Sequence, residues 1–155
     1  MGGDDVAAEQ RDLSELRQLA EAYAAAVDAR DVAALRAVFA SDALVALPPA
    51  LAARLPAAEL RGPEQLGALI DGVRNFHRTR HLITGQSVAV DGDSAAGETS
   101  CTAHHVYGAP DRQRDLVLTL RYRDSFVRTP AGWRFRRREL VLDGSATEPV
   151  EPMAE

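Results

Sequence analysis

The sequence contains no lysine; all 18 basic residues are arginine. Schiff-base chemistry, a lysine general base and a P-loop lysine are thereby excluded. Cys101 is the one cysteine, so neither an intrachain disulfide framework nor a thiolate-rich zinc site can be built. Long apolar runs are missing as well. The stretch from Ala43 to Leu60 comes nearest, and Pro48, Pro49, Arg54, Pro56 and Glu59 interrupt it, which makes it a poor membrane span. The opening residues, MGGDDVAAEQ, are acidic and lack a basic segment followed by an apolar one, so no signal peptide is expected and a cytoplasmic protein is the default. No GxSxG, GxGxxG or Walker sequence occurs, which removes the usual signatures of serine hydrolases, dinucleotide binders and NTPases.

What is present suits one globular domain: 155 residues, 46% apolar and 26% charged. The net charge of −5 is concentrated at the ends. Residues 1–12 hold Asp4, Asp5, Glu9 and Asp12 against Arg11, and residues 143–155 hold four acids and no base, leaving residues 13–142 at +2. That central part is neither a basic nucleic-acid surface nor a strongly acidic one, so no nucleic-acid partner is expected.

Asp12 followed by Glu15 has the spacing of a capping box, and Leu13, Leu16, Leu19, Ala20, Tyr23 and Val27 recur at helical period. A first helix is predicted from about Leu13 to Ala29, with residues 1–12 a flexible tail. Asp31 offers a second N-cap, and Leu35, Val38 and Phe39 carry a short helix ending near Ala40. Ala43 to Leu47 reads as a short strand, then 48–62 as a proline-studded loop with another short strand around Ala58 to Arg61. Gly62-Pro63-Glu64 opens a third helix carried by Leu66, Leu69, Ile70 and Val73. Beyond Arg80 the period changes. Leu82–Val90, Ala95–Tyr107, Leu116–Arg128 and Trp133–Leu142, separated by turn signals, predict an antiparallel meander. Helices first and strands later give an α+β fold in which a curved sheet wraps helices and leaves a pocket between them. Residues 144–155 read as an acidic tail, flexible or folded over the pocket mouth.

Several polar residues are out of place in this pattern. Asp28 falls at a helix C-terminus, where the macrodipole disfavours a carboxylate, and its local alternative is a solvated turn-forming Asp. Histidines cluster at His77, His81, His104 and His105. Pairing through the Asp91-Gly92-Asp93 turn sets His81 opposite about residue 103, close to His104, while strand alternation sends one of His104 and His105 away from the pocket. The His77 and His81 spacing is too unspecific to indicate a metal site, and none is expected. Arg134, Arg136, Arg137 and Arg138 crowd the last strand, for the most part as a solvated face.

The segments YAAAVDARDVAALRAVFASDALV, RGPEQLGALI, RHLITGQSVAVDGDSA, CTAHHVY and RYRDSFVRTPAGWRFRRRELVLD, in this order over residues 13–143, resemble the SnoaL-like branch of the nuclear-transport-factor-two-like superfamily. Within it they look most like the group containing scytalone dehydratase, bile-acid dehydratase and hexachlorocyclohexane dehydrochlorinase. The resemblance implies a cone-shaped α+β barrel around a deep apolar cavity, with an Asp–His dyad made of Asp28 and His81. It further implies Tyr23 near the departing or carbonyl oxygen, Arg138 stabilising negative charge and His104 near a second acid/base position that one residue of register would exchange for His105. The insertion at 48–60 departs from the family pattern.

The expectation is a cofactor-independent lyase or isomerase of dehydratase or cyclase type. His81, oriented by Asp28, removes a proton beside a carbonyl or leaving group of a small hydrophobic metabolite such as a polyketide, terpenoid or steroid-like compound. The alternatives are a non-catalytic ligand-binding or oligomerisation domain and an epoxide hydrolase-like enzyme. Apolar positions on both faces of Leu116-Val117-Leu118-Thr119-Leu120 suggest a homodimer or homotrimer.

Overall fold

The computed structural model describes residues 2–151. Helix α1 (Gly3–Asp28) buries Leu16, Leu19, Ala20, Tyr23 and Val27, the face read from the sequence. It turns into α2 (Val32–Ala37), whose N-cap is Asp31: the carboxylate accepts a hydrogen bond from the Ala34 amide at 3.0 Å. Strand β1 (Phe39–Ala46) follows, then α3 (Pro49–Ala52), β2 (Glu59–Arg61), α4 (Gly62–Leu66) and α5 (Ala68–Asp71). The expected third helix is thus two short helices meeting at Gly67. The proline-studded insertion contains its own helical turn, α3, besides the predicted short strand.

The second half is the meander of β3 (Arg78–Asp91), β4 (Ser94–Tyr107), β5 (Arg114–Thr129) and β6 (Gly132–Pro149). Six strands form one sheet in the order β2-β1-β6-β5-β4-β3, antiparallel throughout except where β1 runs parallel to β6. The sheet curves against α1 and stays open, with β2 and β3 as its edges. Register is set by short turns. Gly92, at φ 60°, occupies the positive-φ position of the β3–β4 hairpin, and an irregularity between Ile83 and Gly85 shifts the register by one residue so that His81 lies opposite Ala103. No described helix is long and apolar enough to cross a membrane.

Both ends of the domain differ from expectation. The first helix begins at Gly3, not Leu13, and residues 3–7 are exposed helix. Asp12 therefore lies inside α1 and caps nothing. Its carboxylate instead accepts two hydrogen bonds from the Arg128 guanidinium, at 2.8 and 3.0 Å, and one from the Trp133 indole at 3.0 Å. Arg128 also lies 4.4 Å from the Trp133 ring centre. At the other end β6 continues to Pro149 and pairs with β5 as far as Arg114, so residues 144–149 are strand rather than tail. Residues 152–155 of the expected tail lie outside the described residues.

The Arg128 hydrogen bonds, aided by Trp133, hold the Asp12 carboxyl below its usual pKa. Its contribution to stability is therefore complete above the ordinary carboxylate pKa and is lost as pH falls through the lowered value. Asp12→Ala is expected to cost about 1–3 kcal/mol at neutral pH and to reduce the loss of stability on acidification, as read by urea unfolding at pH 7 and pH 3.

Candidate active site

Asp28 is the last residue of α1, and the negative end of the helix dipole should repel its carboxylate. Strand β3 supplies the compensation. The His81 amide donates to Oδ2 at 2.9 Å, the Thr79 hydroxyl donates to Oδ1 at 3.1 Å, and His81 Nδ1 lies 2.7 Å from Oδ1. Burial pushes the Asp28 carboxyl up, but the hydrogen bonds from the His81 ring and amide, the charge of His81 and the Thr79 hydroxyl outweigh it, and its pKa lies below the usual value. The carboxylate stays ionised and can only accept, so Nδ1 of His81 carries the hydrogen and Nε2 of the neutral ring keeps a lone pair. The ring lines a cavity.

That cavity, of about 270 Å³, lies between the sheet and the helical segments. Leu51 and Leu55 of the insertion, Leu69, Val73 and Phe76 form one wall; Leu116, Leu118, Leu120, Leu140 and Leu142 of β5 and β6 form another. Tyr23, Arg54, His81, His105, Tyr122 and Ser145 are the residues with polar side chains on its lining.

Of the two adjacent histidines, His105 lines this cavity and His104 does not. Cys101, Ala103 and His105 share the buried face of β4, so alternation turns His104 outward, where its Nδ1 meets Asp115 Oδ2 at 2.7 Å. His104 is thus removed from the site and His105 takes its place. The His105 ring stands edge-on to His81, with centroids 5.6 Å apart. Its Nδ1 donates to the Leu116 carbonyl at 3.0 Å, which leaves Nε2 of the neutral ring as an acceptor. Burial lowers the His105 pKa and outweighs the Leu116 carbonyl, which acts in the opposite direction. His77 contacts the Gly108 carbonyl at 2.6 Å and is not on the cavity lining.

Tyr23 is on the wall, and burial raises its phenol to about 12, so it is a hydrogen-bond donor at neutral pH. Arg138 is not on the wall. It is fully buried behind it, in a two-bond ion pair with Asp124 at 2.8 and 3.0 Å. Its guanidinium carbon lies 3.6 Å from the Tyr122 ring centre, 4.2 Å from Phe135 and 4.4 Å from Tyr23. Among the described residues its Nη1 has no hydrogen-bond partner. Arg138 therefore supports the aromatic floor of the cavity rather than meeting a substrate. Sequence reasoning missed Thr79 and Asp124: Thr79 shares the strand face of His81 and is readable by that parity, whereas Asp124 meets Arg138 only through a register shift between Ser125 and Phe126 that no turn signal marks.

Two consequences can be measured. Because the folded pKa of His105 lies below the unfolded value of about 6.5, its stabilising share is full above that pH and declines below it as the unfolded chain takes up a proton first. His105→Gln is expected to flatten the dependence of unfolding free energy on pH between 7 and 5. Arg138→Met is expected to cost about 3–5 kcal/mol in denaturant unfolding, because it strands the Asp124 carboxylate without a counterion.

The model of the SnoaL-like domain matches residues 8–139. An uncharacterized protein of Mycobacterium tuberculosis, Rv2910c, is 37% identical over 131 residues, covering 84% of this chain and 85% of that one. A candidate scytalone dehydratase from Novosphingobium aromaticivorans has a similar structure, with a TM-score of 0.72, 22% identity and coverage of 99% of this chain and 95% of its own. So has a hexachlorocyclohexane dehydrochlorinase, LinA-type3 of Novosphingobium barchaimii, with a TM-score of 0.74, 16% identity and coverage of 98% and 97%. At these identities the two structures show a shared fold. The helix that carries Asp28 and the edge strand that carries His81 are thus parts of a known fold, and the chain belongs to the SnoaL-like domain family of the nuclear-transport-factor-two-like superfamily.

Proposed function

We propose that this protein is a cofactor-independent lyase or isomerase acting on a small, largely hydrophobic molecule. One observation carries the reading: Asp28 holds both the ring and the backbone of His81, and that ring opens on an apolar cavity. A base so placed needs no further orienter. Two of the similar structures are described as a candidate scytalone dehydratase and a dehydrochlorinase, both eliminating enzymes in name, which supports this reaction class.

In the proposed reaction His81 Nε2 takes a proton from a carbon beside a carbonyl. The C–H pair becomes the new double bond, the carbon–oxygen or carbon–halogen bond on the neighbouring carbon breaks, and the leaving group departs with its electron pair. Asp28 stabilises the imidazolium formed. Tyr23 donates a hydrogen bond to the developing oxyanion, a role its high pKa permits. His81 or His105 then handles the proton that an oxygen leaving group requires. Without a leaving group, return of the proton to another carbon gives isomerisation.

The test is proton exchange. A panel of small cyclic and aromatic ketones is incubated with the protein in deuterium oxide, and loss of the α-proton signal is followed by NMR. His81→Gln is expected to slow exchange on any active ketone by about 10²–10⁴-fold, with Asp28→Asn following it and Tyr23→Phe showing a smaller loss. Ketones that bind while His81→Gln leaves their exchange unchanged would favour ligand capture over catalysis.

A further inference from the structure

Arg30 has an uncommon backbone. It lies two residues beyond the helical end of α1, at φ 58°, the left-handed region that a bulky L-residue rarely enters. Glycine would be the easy occupant of this position. In this conformation the arginine side chain is folded back on the site. Nη1 donates to the Val27 carbonyl at 3.0 Å and to the Thr79 hydroxyl at 2.6 Å, while Nη2 donates to the Val73 carbonyl at 3.0 Å. One guanidinium thereby joins the end of α1, strand β3 and the segment whose Val73 lines the cavity.

The direction of these bonds has a chemical meaning. A guanidinium has only donors, so the Thr79 oxygen must accept from it. The single hydroxyl hydrogen of Thr79 is then free to point one way, toward Asp28 Oδ1 at 3.1 Å. With that bond in place, Oδ1 faces both the Thr79 hydroxyl and His81 Nδ1, and Oδ2 faces the His81 amide. The carboxylate plane is fixed.

We propose that Arg30 is a positioning residue: through Thr79 it locks the Asp28 carboxylate in the orientation that keeps the hydrogen of His81 on Nδ1 and leaves Nε2 free toward the cavity. The proposal rests on the reading of His81 as the base but concerns its tautomer, which is observable without a substrate. An arginine that merely caps α1 through Val27 would not affect which nitrogen of His81 is protonated.

Long-range proton–nitrogen spectra of the uniformly labelled full-length protein at pH 8, with His81 assigned through His81→Gln, read the tautomer ratio directly. In the wild type the Nδ1–H form is expected to exceed the Nε2–H form by at least about ten to one. Arg30→Gly removes the guanidinium while relieving the backbone, and Thr79→Val removes the relay hydroxyl at nearly constant shape. Each is expected to raise the Nε2–H share at least about five-fold, Thr79→Ser to retain the wild-type ratio, and His105, held by the Leu116 carbonyl, to remain unchanged. Folded Arg30→Gly and Thr79→Val proteins with the wild-type ratio would overturn the proposal, and should Arg30→Gly fail to fold, Thr79→Val decides alone. Failure of the underlying reading looks different. The variants would then shift the tautomer as expected while His81→Gln leaves ketone exchange untouched.

Discussion

A carboxylate at the wrong end of a helix is the constraint around which this fold is arranged. Asp28 closes α1, at the negative end of the helix dipole, and β3 brings to it the hydrogen-bond donors that offset this placement. β3 is an edge strand, paired on one side by β4 alone. The Asp28 contacts therefore do for the outer side of β3 part of what a further strand would do, and they fasten the helix to the sheet at the place where the cavity begins. Structural anchor and candidate chemistry share the same atoms.

The cavity is kept open from behind. Its floor is aromatic, with Tyr23 edge-on to Tyr122, Phe39 and Phe135, and Arg138 wedged among three of these rings. A buried ion pair is a poor source of net stability, because desolvation of both charges offsets their attraction. Its value here is geometric. The Asp124–Arg138 pair, extended through the Thr99 hydroxyl to Gln86 and the Leu16 carbonyl, fixes β3, β4, β5, β6 and α1 in one relation by directional bonds that apolar packing alone does not supply.

Much of this was legible in the sequence, and the gaps have identifiable causes. Apolar spacing marked the buried face of α1, and the compact DGD turn gave the β3–β4 register to within one residue, the irregularity between Ile83 and Gly85 setting His81 against Ala103. The choice between His104 and His105 was carried by parity with Cys101 and Ala103, small residues whose burial is a weaker signal than that of a leucine. Arg138 was assigned its role by the resemblance alone, and a bulge in β6 decides what it meets. Phe126 pairs with Phe135, but the next residue of β5, Ser125, pairs with Arg137, so Arg136 is skipped and Arg138, not its neighbour, meets Asp124 inside. The ends of the chain were missed for a different reason. Residues 3–11 and 144–149 bury almost nothing, so their helix and strand rest on backbone hydrogen bonds that leave no periodicity to read.

Asp12 and Asp28 secure α1 at two points, roughly 24 Å apart at the rise of an α-helix. The first of these includes the indole of Trp133, the one tryptophan in the chain, buried and held between a carboxylate and a guanidinium. The protein thus contains an intrinsic optical reporter placed against the N-terminal half of the helix, off the cavity lining. Detachment of α1 from the β5–β6 hairpin changes the emission of that single fluorophore, whereas disturbance confined to the histidines leaves it dark to the event, so loss of the domain and loss of the site can be told apart in a cuvette.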